Sequence, residues 1–334
     1  MDANLLTNLM TPPILFFFLG VFVRLIGSNL EIPPALTKFF SLYMLMAIGI
    51  KGGTAMAESG LSPEAMTVLG AALLMSALVP LYSYQILRIR LKNLYDAAAI
   101  ASSYGSVSAV TFIAASSFLL KMGVDHGGYM VVALVLMESP AIVMAVLLAT
   151  MVRSKEAQDP STQTQGKSRA LPMKKILHEA FTDGTHLMLI GSLVIGAVTG
   201  AEGKKVMEPF TGDIFKGMLS FFLLDMGLSV ASRLREMKDV GVFLVGFGMV
   251  MPVLNGTLAL GIAHLLGFSM GDAFLFIILV ASASYIAVPA VVRYAIPEAN
   301  PSLYFTMALA VTFPFNIIVG IPLYYKMVTV VWGG

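Results

Sequence analysis

Ten separate stretches of this chain are apolar for about the length of a membrane helix, near residues 13–29, 35–55, 65–87, 95–120, 127–152, 182–200, 214–234, 239–265, 271–292 and 302–330. Crossing the hydrocarbon core takes about 20 apolar residues in helical form. Only 12% of the residues are charged, roughly half the share of a soluble domain, and the mean hydropathy is +0.85. Such a chain cannot cover itself with polar surface in water. In lipid each backbone polar group must be satisfied internally, so uninterrupted apolar runs of this length read as helices. The expected fold class is an all-α integral membrane protein with ten transmembrane helices. The 30 glycines fit, because small residues let membrane helices approach closely. Pro12-Pro13 makes a sound start for the first span. His186 and the flanking Asp183-Gly184 leave the start of the sixth span open.

Several function classes fall away. With no cysteine there is no disulfide, thiolate metal site or thiol nucleophile. No basic face points to nucleic acid. Residues 1–9 carry no positive charge, so the first apolar segment is expected to stay in the mature protein rather than act as a signal peptide. No nucleophile motif, Walker loop or dinucleotide fingerprint appears, and Gly52-Gly53 follows Lys51, the wrong order for a phosphate loop. The chain reads as a non-enzyme without a bound cofactor.

Residues 153–175 are rich in Lys, Ser, Thr, Gln and Pro and read as a linker. It divides a first five-span block, 1–152, from a second, 176–334. Of the 21 Lys and Arg residues, 15 fall in the loops after spans 1, 3, 5, 7 and 9. The other six are Lys51, Lys121, Lys204, Lys205, Lys216 and Lys326. The richer side is expected to be cytoplasmic. That places the chain in the inner (plasma) membrane with the linker cytoplasmic and both termini outward.

The two blocks repeat each other. Asp96-Ala97 and Asp272-Ala273 lie 176 apart, as do Ser106-Val107-Ser108 and Ser282-Ala283-Ser284. Gly49 and Gly227 lie 178 apart, and Pro140 and Pro314 lie 174 apart. An odd number of spans per copy forces the second copy to insert upside down. Inverted repeats place a solute site near the bilayer midplane, where interrupted helices meet.

That criterion selects the serine motifs. Tyr104-Gly105-Ser106-Val107-Ser108 and Ser282-Ala283-Ser284-Tyr285 sit in the middle of spans 4 and 9. Hydroxyls can replace the bonds of a freed backbone, and half-helix N-termini there can hold an anion. Serines also simply permit tight helix packing, and that reading stands beside the first. Glu138, next to Pro140 in span 5, is a candidate cation ligand or proton carrier. A carboxylate at that depth costs about 2.5–3.5 kcal/mol on insertion scales, so it needs a partner or a wet cavity. Asn316, two residues after Pro314, is its candidate counterpart. Asp225 in span 7 divides evenly between function and structure. Asp96 and Asp272 read as caps of their own helices. Asn255 and His264 share span 8, where a lone His is a structural hydrogen-bonder more often than a relay. Arg293 reads as a cytoplasmic anchor ahead of an anion ligand.

These motifs resemble the cyanobacterial sodium-dependent bicarbonate transporter family. The most specific stretches are Gly267 to Gly271, Ala281 to Arg293 and Ala295 to Ser302. Weaker ones are Ile48 to Gly53, Gly105 to Ser108 and Met137 to Ala141. The resemblance implies two inverted five-helix repeats, with a gate domain from spans 1–2 and 6–7 and a core domain from spans 3–5 and 8–10. It implies a homotrimer, broken crossing helices, and a cytoplasmic regulator similar to the signalling protein PII. Substrate contacts would fall on Gly105, Ser106, Ser108, Ser282, Ser284 and Tyr285, and a sodium ion on Ser103, Thr111, Glu138 and Asn316. The chain departs from the family pattern at Tyr285, where the family has Asp, at Ala283 for Ser, at Ala109-Val110 for Gly-Ser, and at Glu138 for Asp. Tyr104 and Tyr285 would suit a larger or more apolar anion. The leading expectation is sodium-coupled uptake of bicarbonate or another small anion. Its rivals are a proton-coupled organic-anion transporter or exchanger, and a non-transporting membrane sensor that docks a cytoplasmic regulator.

Overall fold

The computed structural model describes residues 11–60, 62–158, 178, 182, 184–234 and 240–333. Among the described residues the regular structure is helical throughout. Eight helices among the described residues are long and apolar enough to cross a membrane, and two further apolar helices, Pro12–Leu25 and Met270–Val280, are shorter.

The first five apolar stretches give α1 (Pro12–Leu25), α2 (Pro34–Ser59), α3 (Pro63–Leu87), α4 (Leu94–Gly105) followed by α5 (Ala109–Met122), and α6 (Tyr129–Gln158). The last five give α7 (Gly184–Glu208), α8 (Phe215–Arg233), α9 (Val242–Leu265), α10 (Met270–Val280) followed by α11 (Ala287–Ala295), and α12 (Pro301–Trp332). Proline opens α1, α2, α3 and α12, where its missing N–H costs nothing. In the interior of α12 the turns widen over Thr306–Thr312 and Asn316–Gly320, on either side of Pro314. Proline cannot supply the i→i−4 bond, and wide turns absorb the misfit. The expected linker begins late. Arg153 to Gln158 still belong to α6, and 159–175 lie outside the described residues.

Four helices pair through glycine. A Cβ on Gly53 of α2 would strike Leu193 O and come within 2.7 Å of Ala197 N of α7. A Cβ on Gly227 of α8 would strike Phe17 O and come within 2.9 Å of Val21 N of α1. A Cβ on Gly196 of α7 would come within 2.5 Å of Ile50 O of α2, and one on Gly20 of α1 would strike Leu224 O of α8. Only hydrogen fits at these positions, so backbones touch across both seams. The two sets match residue for residue, but Gly227 corresponds to Gly53 rather than to Gly49. The offset in this helix pair is therefore 174, one helical turn from the 178 expected from the sequence.

The remaining helices enclose the interrupted ones. Every residue of α10 except Met270 is buried, as is all of α4 from Tyr95 to Gly105. Asp96 and Asp272 do not cap their own helices in the way expected. Asn93 and Ser269 fill those N-cap positions. The Asp96 carboxylate instead accepts from Asn300 N at 2.7 Å, in the loop before α12. The Asp272 carboxylate accepts from Gly127 N at 2.7 Å and Tyr129 Oη at 2.6 Å, where the chain enters α6. Each half is thus tied to a loop of the other. At the opposite end of α6, Arg153 holds Glu298 through two bonds of 3.0 and 2.8 Å and reaches Ala295 O at 2.9 Å.

Candidate functional site

The site grows from two chain breaks. Helix α4 stops at Gly105, where a Cβ would drive into the Pro80 ring and sit 2.9 Å from Ser76 O. Glycine there lets α4 end against the proline in α3. Ser106 is extended, and Ser108 caps α5 by accepting from Thr111 N at 3.2 Å. The Thr111 hydroxyl also bonds Ser108 Oγ, at 2.9 Å. In the second half, α10 ends at Val280 and α11 starts at Ala287. The carbonyls freed there meet side-chain amides. Asn255 donates to Val280 O at 3.2 Å, and Asn316 donates to Ala281 O at 2.9 Å. Ser284 Oγ accepts from Val288 N at 3.3 Å, which satisfies one amide at the head of α11.

The breaks bond to each other. Ser108 N donates to Ser282 Oγ at 2.9 Å, and Ser284 N donates to Ser103 O at 2.8 Å. Ser103, Ser106, Ser108, Ser282 and Ser284 are all buried. The Ser106 hydroxyl has no hydrogen-bond partner among the described residues, which is costly for a buried polar atom unless a ligand meets it. Nearby, the Tyr104 hydroxyl pairs with Thr312 Oγ1 at 2.5 Å, and Thr312 donates to Gly248 O at 2.9 Å.

A narrow cleft opens at this crossing. It is lined by Val107, Ser108 and Ala109 from the head of α5, and by Ser284, Tyr285 and Ile286 from the head of α11. Glu138 of α6, Leu45 of α2, and Thr185 and Leu189 of α7 complete the lining. The cavity measures about 30 Å³, above the ~10–15 Å³ that one water needs. It suits a water-sized or slightly larger ion better than a multi-carbon anion. Tyr285 narrows it, its ring edge-on to Phe313 at 5.6 Å. Two half-helix N-termini therefore border one small space, and both direct positive dipole ends toward it. Glu138 is 8% exposed and gives the cleft a carboxyl group, while Ser108 and Ser284 add hydroxyl oxygens. Hard cations take such oxygens.

Of the ten residues singled out in the sequence, Ser108, Ser284, Tyr285 and Glu138 line the cleft. Ser103, Thr111 and Ser282 lie at the crossing, in the bonds that shape it, and Ser106 lies there buried with its hydroxyl unpartnered among the described residues. Gly105 sets the end of α4. Asn316 sits behind the site, where its amide binds Ala281 O and its Oδ1 faces the Tyr324 hydroxyl at 3.4 Å. Asp225 is buried in α8 with Oδ2 unpartnered among the described residues and lies apart from the cleft lining. The sequence reading missed Thr312 and the helix-ending role of Asn255. Thr312 stands 174 residues after Glu138, the offset of Pro140 and Pro314, and that register could have found it.

Comparison with known proteins gives one family. The model for the Na+-dependent bicarbonate transporter superfamily matches residues 12–329. No curated protein matches the chain.

Proposed function

Because this chain belongs to the Na+-dependent bicarbonate transporter superfamily, we propose that it is a secondary transporter that couples sodium entry to uptake of bicarbonate or a similarly small anion. The observation that carries this reading is the cleft, where two half-helix N-termini and the buried Glu138 border the same small space. The dipole ends attract an anion and the carboxylate repels it. A sodium ion at Glu138, with Ser108 and Ser284 as further oxygens, cancels that repulsion. Each ion then strengthens the binding of the other, and such coupling is reciprocal by linkage. A small cavity supports a small inorganic anion over the larger one that two tyrosines in the motif would suit.

The architecture we infer has ten spans in two inverted repeats. The matched glycine seams and the reciprocal aspartate bonds support it. Helices α1, α2, α7 and α8 form the gate, and the interrupted helices with their neighbours form the core. Movement of one against the other exposes the cleft to either side. The protein sits in the inner membrane with its termini outward, as the Lys and Arg distribution supports.

Purified protein in liposomes, given labelled bicarbonate and an inward sodium gradient, should accumulate label well above a potassium control. Equal uptake in sodium and potassium, from verified and correctly inserted protein, would overturn the coupling. No uptake at all would overturn the substrate.

A further inference from the structure

Three buried rings meet at the crossing. Phe17 of α1 stands edge-on to Phe313 of α12 at 5.7 Å, and Phe313 stands edge-on to Tyr285, at the head of α11, at 5.6 Å. Such edge-on pairs are favourable beyond their burial. Tyr285 also belongs to the cleft wall, so the contacts lead from the cleft to α1. Phe17 is fixed in turn, because its carbonyl lies against Gly227 in the α1–α8 seam.

On the repeat proposed above, the same positions of the other half carry smaller side chains. The glycine seams pair Phe17 with Leu193, an offset of 176. Phe313 pairs with Ser139 at the 174 of Pro140 and Pro314, and Tyr285 pairs with Ala109 at the 176 of the serine motifs. Around this smaller set the structure is open. Ala109 lines the cleft, as do Glu138, next to Ser139, and Leu189, one turn before Leu193. The two places face opposite ways. Thr185 and Leu189 lie in the first two turns of α7, cytoplasmic on the ten-span reading, and Phe17 lies in the second turn of α1, which starts outside. Helices α2 and α6 also press together toward the outer end. A Cβ on Gly52 would come within 2.5 Å of Val131 Cβ, and one on Gly128 would strike Ala55.

We propose that Phe17, Phe313 and Tyr285 form an outer plug that seals the cleft from outside in this state and parts only when the gate and core helices shift. The proposal rests on the transport reading for its purpose, but not for its test. An apolar constriction sheds water and so stops a hydrated ion. The cytoplasmic route has no such rings, because Leu193, Ser139 and Ala109 stand in their places.

The absence of cysteine permits a direct measurement. In A109C, one thiol stands in the cleft wall. Its reaction with a membrane-impermeant methanethiosulfonate is followed in spheroplasts, where the reagent meets only the outer face, and in inverted vesicles, where it meets only the inner face. With the outward-open form a minor state of about 10% or less, the inner rate should exceed the outer by at least about tenfold. Phe17→Leu with Phe313→Ser installs the pair found on the cleft side. It should raise the outer rate several-fold and leave the inner rate unchanged, while Phe313→Tyr, which keeps the ring, should leave both unchanged. If the double variant is not monodisperse on chromatography, Phe17→Leu alone should give a smaller rise of the same kind. Equal rates from the two faces, a faster outer rate, or an outer rate that folded Leu and Ser variants leave untouched overturns the plug. Neither bicarbonate nor a sodium gradient enters the measurement, so failure of the plug and failure of the transport reading are told apart.

Discussion

Under the inverted repeat proposed above, the glycine seams and the helix crossing are two regions that treat one duplication in opposite ways. Across the seams the copies agree in detail. Gly53 meets Leu193 and Ala197 as Gly227 meets Phe17 and Val21. At the crossing they differ. Ser108 N bonds a side chain, Ser282 Oγ, whereas Ser284 N bonds a backbone oxygen, Ser103 O. Glu138 lines the cleft, while Thr312 at the same repeat position is tied to Gly248 and Tyr104. A backbone seam has one geometric solution, and both copies use it. On the proposed function the crossing serves two ions of opposite sign, and such a site has to be lopsided, so its copies part.

The comparison can be broken most severely at the seams. Gly53→Leu or Gly227→Leu pushes a side chain into a facing backbone. Overpacking costs about 1–3 kcal/mol and occasionally more, and here no flexible neighbour can yield. Monodisperse protein should be lost on size-exclusion chromatography, and equally so for both variants. Unequal loss would mean that the seams are not equivalent.

The next largest effect is expected at Glu138. Glu138→Gln should leave the chromatographic profile intact but remove the sodium dependence of uptake, with a rate loss of at least about tenfold, or ~1.4 kcal/mol. Thr312→Val, its repeat counterpart, should cost about 1 kcal/mol of stability through lost hydrogen bonds and change sodium dependence little. Similar transport defects in the two would erase the asymmetry claimed for the crossing.

Ser284→Ala removes the acceptor for Val288 N at the head of α11. Substrate KM is expected to rise about three- to tenfold, the weight of one such bond, with the maximal rate less affected. The smallest effect belongs to Asn316→Ala. It leaves Ala281 O without its donor and should lower the melting temperature by a few degrees, in keeping with ~1 kcal/mol. If this variant abolished sodium dependence, Asn316 would be a direct ligand and not a support.

Much of this was legible in the chain. Apolar length placed the helices, and hydroxyls around a glycine within an apolar run marked the break at Ser106-Val107-Ser108. The duplicated spacing pointed to Ser282 and Ser284, and a carboxylate beside Pro140 drew attention to Glu138. What could not be read depends on distance in sequence. A shift of four residues keeps a helix on the same face, so Gly49 and Gly53 were indistinguishable as the partner of Gly227. Asp96 and Asp272 stand at helix starts, and nothing local says that their amide donors lie 204 and 145 residues away. The amides of Asn255 and Asn316 finish a helix that neither belongs to. The narrowness imposed by Tyr285 is a property of packing and has no sequence signature.

Those reciprocal aspartates bear on how the protein is made. When the first five apolar segments have left the ribosome, the amide of Gly127 still lacks the carboxylate that will receive it, because Asp272 is 145 residues further on. Asp96 in turn waits for Asn300. Neither of these loop bonds can form until both halves have been made, so their closure belongs to the end of biogenesis. A chain cut between its halves should yield two fragments that are each degraded when expressed alone and that persist when expressed together.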